Sequence, residues 1–336
     1  MARTLLNVRA MLRIRTLAFV TLAILGAAGC GKKAAKDQQD KQTNTPPAAP
    51  SPAPPVAVAP TPPPPPPAPT YSPDAAKQLV AKFSDCIIAD TCDAYKTLVG
   101  FGAPVAPDLM TALADPALPA DSKKLVVEAL GALKLPDVGP KLVELGSDPA
   151  HAELQDELFK AAGASGGQAA FDALIAAYDK AIRDSDDDRD IPLRGGLRAF
   201  PSESVAWAKD QLAKRKPKDA SDATGIADLI TDSATAADLP AVVEALGKSK
   251  DVMVRDRLAA KAIELGDLTH FDVFVAGLQS KDQYDRSDAA GFLADVADKA
   301  PADLKPTLIE LLEKGKAGDQ GGLTAMGYDE ALKKLQ

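Results

Sequence analysis

Aromatic residues and histidine are scarce in this sequence. Phe, Trp and Tyr make up 4% of its 336 residues, and His occurs only twice, as His151 and His270. Strands favour aromatic and β-branched residues, whereas the hydrophobic content here is rich in Ala and Leu, so the composition predicts an all-α fold. A zinc site needs several His or Cys residues at ligand spacing, and neither His has such a partner. No metal or cofactor is predicted.

The sequence also lacks two common nucleotide-binding patterns. It contains neither a Walker phosphate loop nor a Gly-x-Gly-x-x-Gly motif. Residues 163–167 read Gly-Ala-Ser-Gly-Gly. No predicted strand precedes them, so we interpret them as a joint between two helices rather than a phosphate loop. We find no catalytic constellation, and the chain is predicted not to be an enzyme.

Positive charge is under-represented after the N-terminal segment. Residues 74–336 contain 31 Lys or Arg against 45 Asp or Glu. An acidic domain repels phosphate backbones, and no basic stripe with interleaved aromatic residues is present. Nucleic acid is therefore excluded as the expected partner.

The N-terminal segment has the features of a secretory signal peptide. Four Arg residues precede an uncharged run, residues 16–29, which ends in small residues before Cys30. Ala-Gly-Cys after an apolar run resembles the lipobox of bacterial lipoproteins. The resemblance implies a cleaved signal over residues 1–29 and an acylated Cys30 in a lipid bilayer. Gly31 implies export to the outer membrane, facing the periplasm or the cell surface. The alternative is an ordinary signal peptide with an incidental Cys.

Proline is concentrated in one segment. Fifteen of the 28 Pro residues lie between Pro46 and Pro73. A segment of Pro, Ala, Ser, Thr and Val cannot bury enough apolar surface to fold, so residues 30–73 are predicted to be a disordered tether. Extended polyproline II at about 3.1 Å per residue gives residues 46–70 a reach of roughly 75 Å. A ligand for a proline-binding module is the alternative.

From residue 74 onward, apolar residues recur at helical spacing in pairs of segments separated by short polar joints. In the clearest unit, Val254, Leu258 and Ala262 precede a Gly-Asp corner and a second apolar segment. The second helices of successive pairs are predicted to begin near residues 137, 167, 202, 238, 269 and 302. A period of about 30–36 residues is typical of an α-solenoid over residues 74–336.

The motif Asp251-x-x-Val254-Arg255, followed by Ala259-Ala260-x-Ala262 and Leu265-Gly266-Asp267, resembles the short HEAT repeat of bacterial proteins. The resemblance implies a right-handed α-solenoid of about seven HEAT-like helical pairs. It also implies structural roles for Asp251, Arg255 and Asp267, with Arg255 bridging loop acceptors between repeats. A tetratricopeptide solenoid and an irregular helical bundle remain as alternatives.

Cys86 and Cys92 are the two thiols that remain if Cys30 is acylated. An exported compartment is usually oxidising, and the chain break at Asp90-Thr91 would bring the two residues together. A disulfide between them is predicted, with two free thiols or a metal or redox role as alternatives.

One acidic segment has the alternate spacing of a calcium loop. Asp184, Asp186 and Asp188 are spaced in this way, but Arg189 and Gly195 stand where a calcium-binding EF-hand loop needs Gly and Glu. The segment is interpreted mainly as a solvated joint, with weak calcium binding as the alternative.

The predicted function is a membrane-anchored, non-catalytic scaffold that binds proteins of the bacterial cell envelope. The prediction rests on a repeat surface without a catalytic constellation, attached to a membrane by a tether. Two alternatives belong to other classes. One is a repeat-fold enzyme of the bilin-lyase type, whose repeats are similar. The other is a structural protein that contacts peptidoglycan.

Overall fold

A computed structural model describes residues 70–214, 220–319 and 322–336. These residues form sixteen α-helices and contain no strand. The predicted all-α fold is confirmed. The predicted signal peptide, Cys30 and the tether up to residue 69 lie outside the described residues.

The helices alternate between two layers. The odd-numbered helices are α1 (Pro73–Ala81), α3 (Ala106–Leu113), α5 (Gly139–Ser147), α7 (Gln168–Asp184), α9 (Pro201–Lys214), α11 (Leu239–Lys248), α13 (Phe271–Leu278) and α15 (Lys305–Gly318). The even-numbered helices are α2 (Asp93–Gly100), α4 (Ala120–Ala132), α6 (Gln155–Ser165), α8 (Asp187–Leu197), α10 (Ala220–Ser233), α12 (Val252–Glu264), α14 (Gln283–Val296) and α16 (Gly322–Leu335).

Short 3₁₀ turns connect several of these helices. They span Lys82–Asp85, Ala89–Thr91, Ala103–Val105, Pro149–Leu154, Ala236–Asp238, Leu268–His270 and Ala297–Lys299. The predicted starts of six second helices fall within three residues of the observed starts of α5, α7, α9, α11, α13 and α15. The repeat period predicted from the sequence is therefore confirmed.

The helices pack as eight pairs, from α1 with α2 to α15 with α16. In each pair an odd helix packs on the even helix that follows it. The opening unit of the sequence pattern, α12 followed by α13, is therefore split between two pairs, because α12 belongs with α11 and α13 with α14. The predicted phase of the repeat is wrong by one helix, although its period holds.

Successive even helices pack on one another without a break from α2 to α16, and we call them the even layer. Odd helices pack closely on one another only at α1/α3, α5/α7, α9/α11 and α13/α15. The even layer is therefore the continuous side of the α-solenoid. Each helix contacts chiefly its neighbours in sequence, as expected for a repeat stack.

Glycine allows even helices to approach closely at α4, α6 and α8. A Cβ at Gly163 of α6 would overlap the carbonyl oxygen of Gly196 in α8, and a Cβ at Gly131 of α4 would lie 2.9 Å from the Ala161 Cα. No larger residue fits these positions without movement of the backbone, because interiors are packed at the density of organic crystals.

The first helical pair is closed by a disulfide. Cys86 and Cys92 are bonded, and their Cα atoms are 5.4 Å apart. The chain leaves α1 through a 3₁₀ turn and re-forms a second turn before α2, which brings the two residues together. Upstream, the Tyr71 hydroxyl donates to Asp108 of α3 at 2.7 Å. The Tyr71 ring lies edge-on to Phe101, with 5.7 Å between centroids.

Across residues 70–214, 220–319 and 322–336, none of the helices is both long enough and apolar enough to cross a bilayer.

Candidate functional site

Charged residues of α8, α10 and α12 form a chain of ion pairs, which we call the Arg–Asp ladder (Asp190, Arg194, Asp228, Asp232 and Arg257). Nη1 of Arg194 lies 2.8 Å from Asp232 Oδ2 and 3.7 Å from Asp228 Oδ2. Asp190, one turn before Arg194, lies 3.9 Å from its Nη2. On the other side of α10, Asp228 pairs with Arg257 of α12. The carboxylate of Asp228 thus bridges arginines from both neighbouring helices.

The two arginines of the ladder are largely shielded from water. The side chains of Arg194 and Arg257 are each 14% exposed. Burial, followed by repulsion from Arg194, lowers the pKa of Arg257 to about 10. Arg257 is therefore still cationic at neutral pH. Its guanidinium carbon lies 5.1 Å from the centroid of the Phe292 ring, so a cation–π contact extends the ladder to α14.

The sequence of α10 explains why its carboxylates lie where they do. Asp228 and Asp232 are four residues apart and share one helix face. The other faces of this helix carry aliphatic side chains that are fully buried, at Ile226, Leu229 and Ile230. Burial of the aliphatic faces fixes the rotation of α10 about its axis. The two carboxylates are consequently held at the surface of the even layer.

A buried tyrosine of α7 contacts α10, the helix that carries the two central aspartates of the ladder. Tyr178 of α7 is fully buried, and its hydroxyl donates to the Gly225 carbonyl of α10 at 2.5 Å. Burial raises the pKa of Tyr178 above its usual value. Its ring lies edge-on to Trp207 of α9, with 6.3 Å between centroids. Two successive helical pairs, α7/α8 and α9/α10, are therefore connected beneath the charged surface.

Beside the ladder, α14 carries Tyr284, Asp288, Phe292 and Asp295 at helical spacing, and we call them the aromatic–acid stripe. Tyr284 is 56% exposed, and Phe292 is partly buried against the core. The pKa of Asp288 is raised to about 6, chiefly by burial; Arg257 opposes the rise, and nearby carboxylates such as Asp285 add to it. The stripe therefore combines accessible aromatic surface with negative charge.

One carboxyl group of α12 is enclosed in the interior. Asp256 is 1% exposed, and its Oδ2 has no hydrogen-bond partner among the described residues. It faces Gly277 of α13, where a Cβ would lie 3.4 Å from both carboxyl oxygens. Burial, and then repulsion from Asp288, raises the pKa of Asp256 to about 8, with Arg255 opposing the rise. Asp256 is therefore mainly protonated at neutral pH.

The three residues taken from the HEAT-like motif differ in their surroundings. Asp251 caps α12, since its Oδ1 accepts from the Val254 amide at 3.0 Å. Asp267 caps the turn before α13 by accepting from the Thr269 amide at 3.1 Å. The side chain of Arg255 makes no hydrogen bond or ion pair with the described part of the chain, and its backbone amide donates to the Asp251 carbonyl at 3.0 Å. The arginine that bridges two helices is Arg257, two residues further on.

The three aspartates with calcium-loop spacing do not converge. Asp184 pairs with Lys180 at the end of α7. Asp186 lies 3.5 Å from the Arg189 guanidinium, and Asp188 is exposed. Within residues 70–214, 220–319 and 322–336, no group of three or more Asp, Glu, His or Cys residues could hold a metal ion.

Residues 163–167 have the Gly-x-Ser-x-Gly spacing of a nucleophile elbow, but the structure does not present Ser165 as one. Ser165 is the last residue of α6 and is 2% exposed. Its hydroxyl donates to the Ala162 carbonyl at 2.7 Å within the same helix. An elbow requires a strand before the serine and an exposed hydroxyl, and neither is present here. The segment is a joint between helices, as predicted.

The sequence reasoning missed the ladder. Arg194 and Arg257 were not singled out as bridging residues, and Asp228 was not considered. A signal was available, because each lies in the interior of a predicted helix and one repeat from the next. Charged residues at a repeat period on an otherwise apolar helix are candidates for contacts between repeats.

Comparisons with known proteins do not assign the chain to a family. No protein-family model and none of the curated proteins matches the chain. Among solved structures, the chain is similar to a designed armadillo repeat protein, with 16% identity over 79% of this chain and 99% of that chain. The TM-score is 0.19, so this similarity carries no argument. The helix packing itself defines an α-solenoid repeat protein.

Proposed function

We propose that this protein is a non-catalytic scaffold, exported and lipid-anchored, that binds another envelope protein along its even layer. The observation that carries the proposal is the continuity of that layer. From α4 to α16 its outward positions hold charged, aromatic and aliphatic side chains on neighbouring helices, including Lys124, Ile191 and Tyr284 at exposed or half-exposed positions. A long surface with many polar and aromatic contact points is suited to an extended partner.

The charges along the even layer are arranged in local pairs. Lys124 of α4 lies 3.4 Å from Glu157 of α6, and Lys160 lies 2.5 Å from Asp156 within α6. Exposed pairs of this kind contribute little to stability, so their charges remain available to a partner. Charge patterns at an interface govern specificity and the rate of association more than affinity.

The anchored and exported part of the proposal rests on the sequence. The lipobox-like Ala-Gly-Cys supports acylation of Cys30, and Gly31 supports sorting to the outer membrane. The Pro-rich segment that follows supports a spacer between the membrane and the helical repeats. The finer assignment to HEAT-type repeats rests on the Asp251–Asp267 motif and on the helix-pair period of the stack.

Site-specific photo-crosslinking in cells tests which layer binds. A photoreactive phenylalanine analogue is placed at Ile191 or Tyr284 on the even layer, and at Asp272 or Glu310 on the odd layer. All four positions are exposed or half-buried, so the substitutions should leave the fold intact. We expect discrete protein adducts from the even-layer positions only. Equal adducts from both layers, or none from the even layer, would overturn the proposal.

Membrane attachment is tested separately. We expect the full chain to incorporate labelled fatty acid and to fractionate with the outer membrane, and the Cys30→Ser variant to do neither. An unlabelled wild-type protein, or a variant that still fractionates with membranes, would refute the lipid anchor. Such a result would not decide which layer binds the partner, because the two parts of the proposal depend on different residues.

A further inference from the structure

The aromatic–acid stripe of α14 has features that the ladder beside it does not have. Tyr284 is 56% exposed, and its side chain makes no hydrogen bond or ring contact with residues 70–214, 220–319 or 322–336. The carboxylate of Asp288, one turn further along, is half-buried and makes no hydrogen bond or ion pair within those ranges, although the charge of Arg257 acts on it. An exposed aromatic ring and a carboxylate without a direct hydrogen-bond partner therefore lie one turn apart on the same helix.

On the same helix, the ring of Phe292 already contacts a cation. The guanidinium of Arg257 lies 5.1 Å from the Phe292 centroid and pairs with the Asp228 carboxylate. At this position of the even layer, an aromatic ring of α14 and a carboxylate of α10 together bind an arginine side chain. Tyr284 and Asp288 repeat this combination about two turns before Phe292, on a part of the surface that faces solvent.

Negative charge near the stripe is only partly compensated. Asp282 accepts from the Tyr284 amide at 2.7 Å, and Asp285 accepts from the Ser280 hydroxyl at 2.8 Å. These bonds come from neutral donors, so they leave the carboxylate charges unbalanced. Burial raises the pKa of Asp288, Arg257 opposes the rise, and repulsion from nearby carboxylates such as Asp285 adds to it. A cation brought by a partner would relieve that repulsion.

We propose that the stripe docks an arginine- or lysine-bearing segment of the partner protein, with the cationic side chain between the Tyr284 ring and the Asp288 carboxylate. The inference rests on the proposed scaffold function and specifies the chemistry of the partner. Arginine suits the site better than lysine, because a planar guanidinium can stack on the ring while it pairs with a carboxylate. Acidic segments are excluded by the same charges.

A fluorescein-labelled decapeptide of alternating Arg and Ala is the probe, measured by anisotropy against the full-length protein in detergent at physiological ionic strength. The test variant is Tyr284→Ala combined with Asp288→Asn. Loss of a cation–π contact and a charge pair should weaken binding roughly tenfold. Tyr284→Phe, which keeps the ring, should bind within about twofold of the wild type, since only the hydroxyl is lost.

The matched control removes charge from the other layer. Asp272→Asn combined with Glu310→Gln neutralises two exposed or half-exposed carboxylates of α13 and α15. We expect this control to bind the probe within about twofold of the wild type, because it leaves the Tyr284 ring and the Asp288 carboxylate in place. Equal weakening in both double variants would mean attraction to bulk charge and would overturn the proposal. Absence of binding to the wild type would overturn it as well.

Failure here is distinguishable from failure of the scaffold function. If the peptide does not bind but photo-crosslinks from Ile191 persist, only the assignment of a cationic segment to the α14 stripe is refuted. If the crosslinks are lost as well, the scaffold function fails.

Discussion

Two junctions between neighbouring helices of the even layer are formed by different kinds of contact. Between α6 and α8 the helices meet backbone to backbone, with Gly163 against Gly196. Between α10 and α12 they are joined through the Asp228–Arg257 ion pair. The same helix-pair period is therefore compatible with a junction between glycine backbones and with a junction that contains an ion pair. The difference indicates that the period is fixed by the helical pairs rather than by any single type of contact.

The charged junction should be the more sensitive of the two to loss of one side chain. Arg257→Ala leaves Asp228 with only Arg194 as a partner and removes the cation over Phe292. Breaking a buried pair from one side costs about 3–5 kcal/mol. Urea denaturation followed by circular dichroism should show this loss in the free energy of unfolding.

Arg198→Ala is the control for that prediction. Arg198 is 58% exposed and lies 3.4 Å from Asp232, so its loss should cost less than about 1 kcal/mol. Similar losses for the two variants would show that the Asp228–Arg257 pair does not join α10 and α12.

The Gly163–Gly196 junction should be destabilised by a larger side chain. Gly163→Ala places a methyl group against the Gly196 carbonyl, and overpacking of this kind costs about 1–3 kcal/mol. Gly247→Ala in α11 is the comparison, because a Cβ there meets nothing within 4 Å. It should instead gain about 0.5–1 kcal/mol from helix propensity. Thermal unfolding of both variants gives the sign directly, and a stabilising Gly163→Ala would contradict the close approach.

Over the single unit from pH 7 to pH 8, the smallest effect concerns Asp256, next to the charged junction. Its folded pKa is raised to about 8, so the folded protein holds a proton that the unfolded chain has lost above about pH 4. Stability is therefore fully present at low pH and falls as the pH rises towards 8. Between pH 7 and pH 8 the loss should be about 1 kcal/mol.

Asp256→Asn should remove this part of the pH dependence, because the amide does not titrate. The free energy of unfolding of each protein is measured from pH 7 to pH 9, above the pKa of about 6 of Asp288. An unchanged slope in the variant would mean that another group titrates in this window.

The sequence predicted the helices and their period because apolar spacing and turn residues act locally. Asp251 and Gly266-Asp267 mark both ends of α12, and both marks were recognised in the sequence. The phase of the pairs is not local. α12 buries Val254, Leu258 and Ala262 together with Ala260 and Ile263, so it is apolar on several sides, and its pattern does not reveal which neighbour it prefers.

The candidate site was harder to predict for a related reason. Arg255 and Arg257 are two residues apart, and only the rotation of α12 in the stack decides which of them meets Asp228. That rotation depends on packing against α10 and α14, which lie far away in the sequence. The aromatic–acid stripe of α14 depends on long-range packing in the same way.

The entry of the chain into the stack has a mechanical consequence. Tension applied through residues before Tyr71 reaches α3 through the Tyr71–Asp108 hydrogen bond and the ring contact with Phe101. Force along this route shears contacts between two helical pairs instead of peeling α1 away alone. The Cys86–Cys92 bond also prevents α1 and α2 from being drawn apart beyond a short loop. The end of the stack nearest the N-terminus is thereby reinforced against pulling from that side.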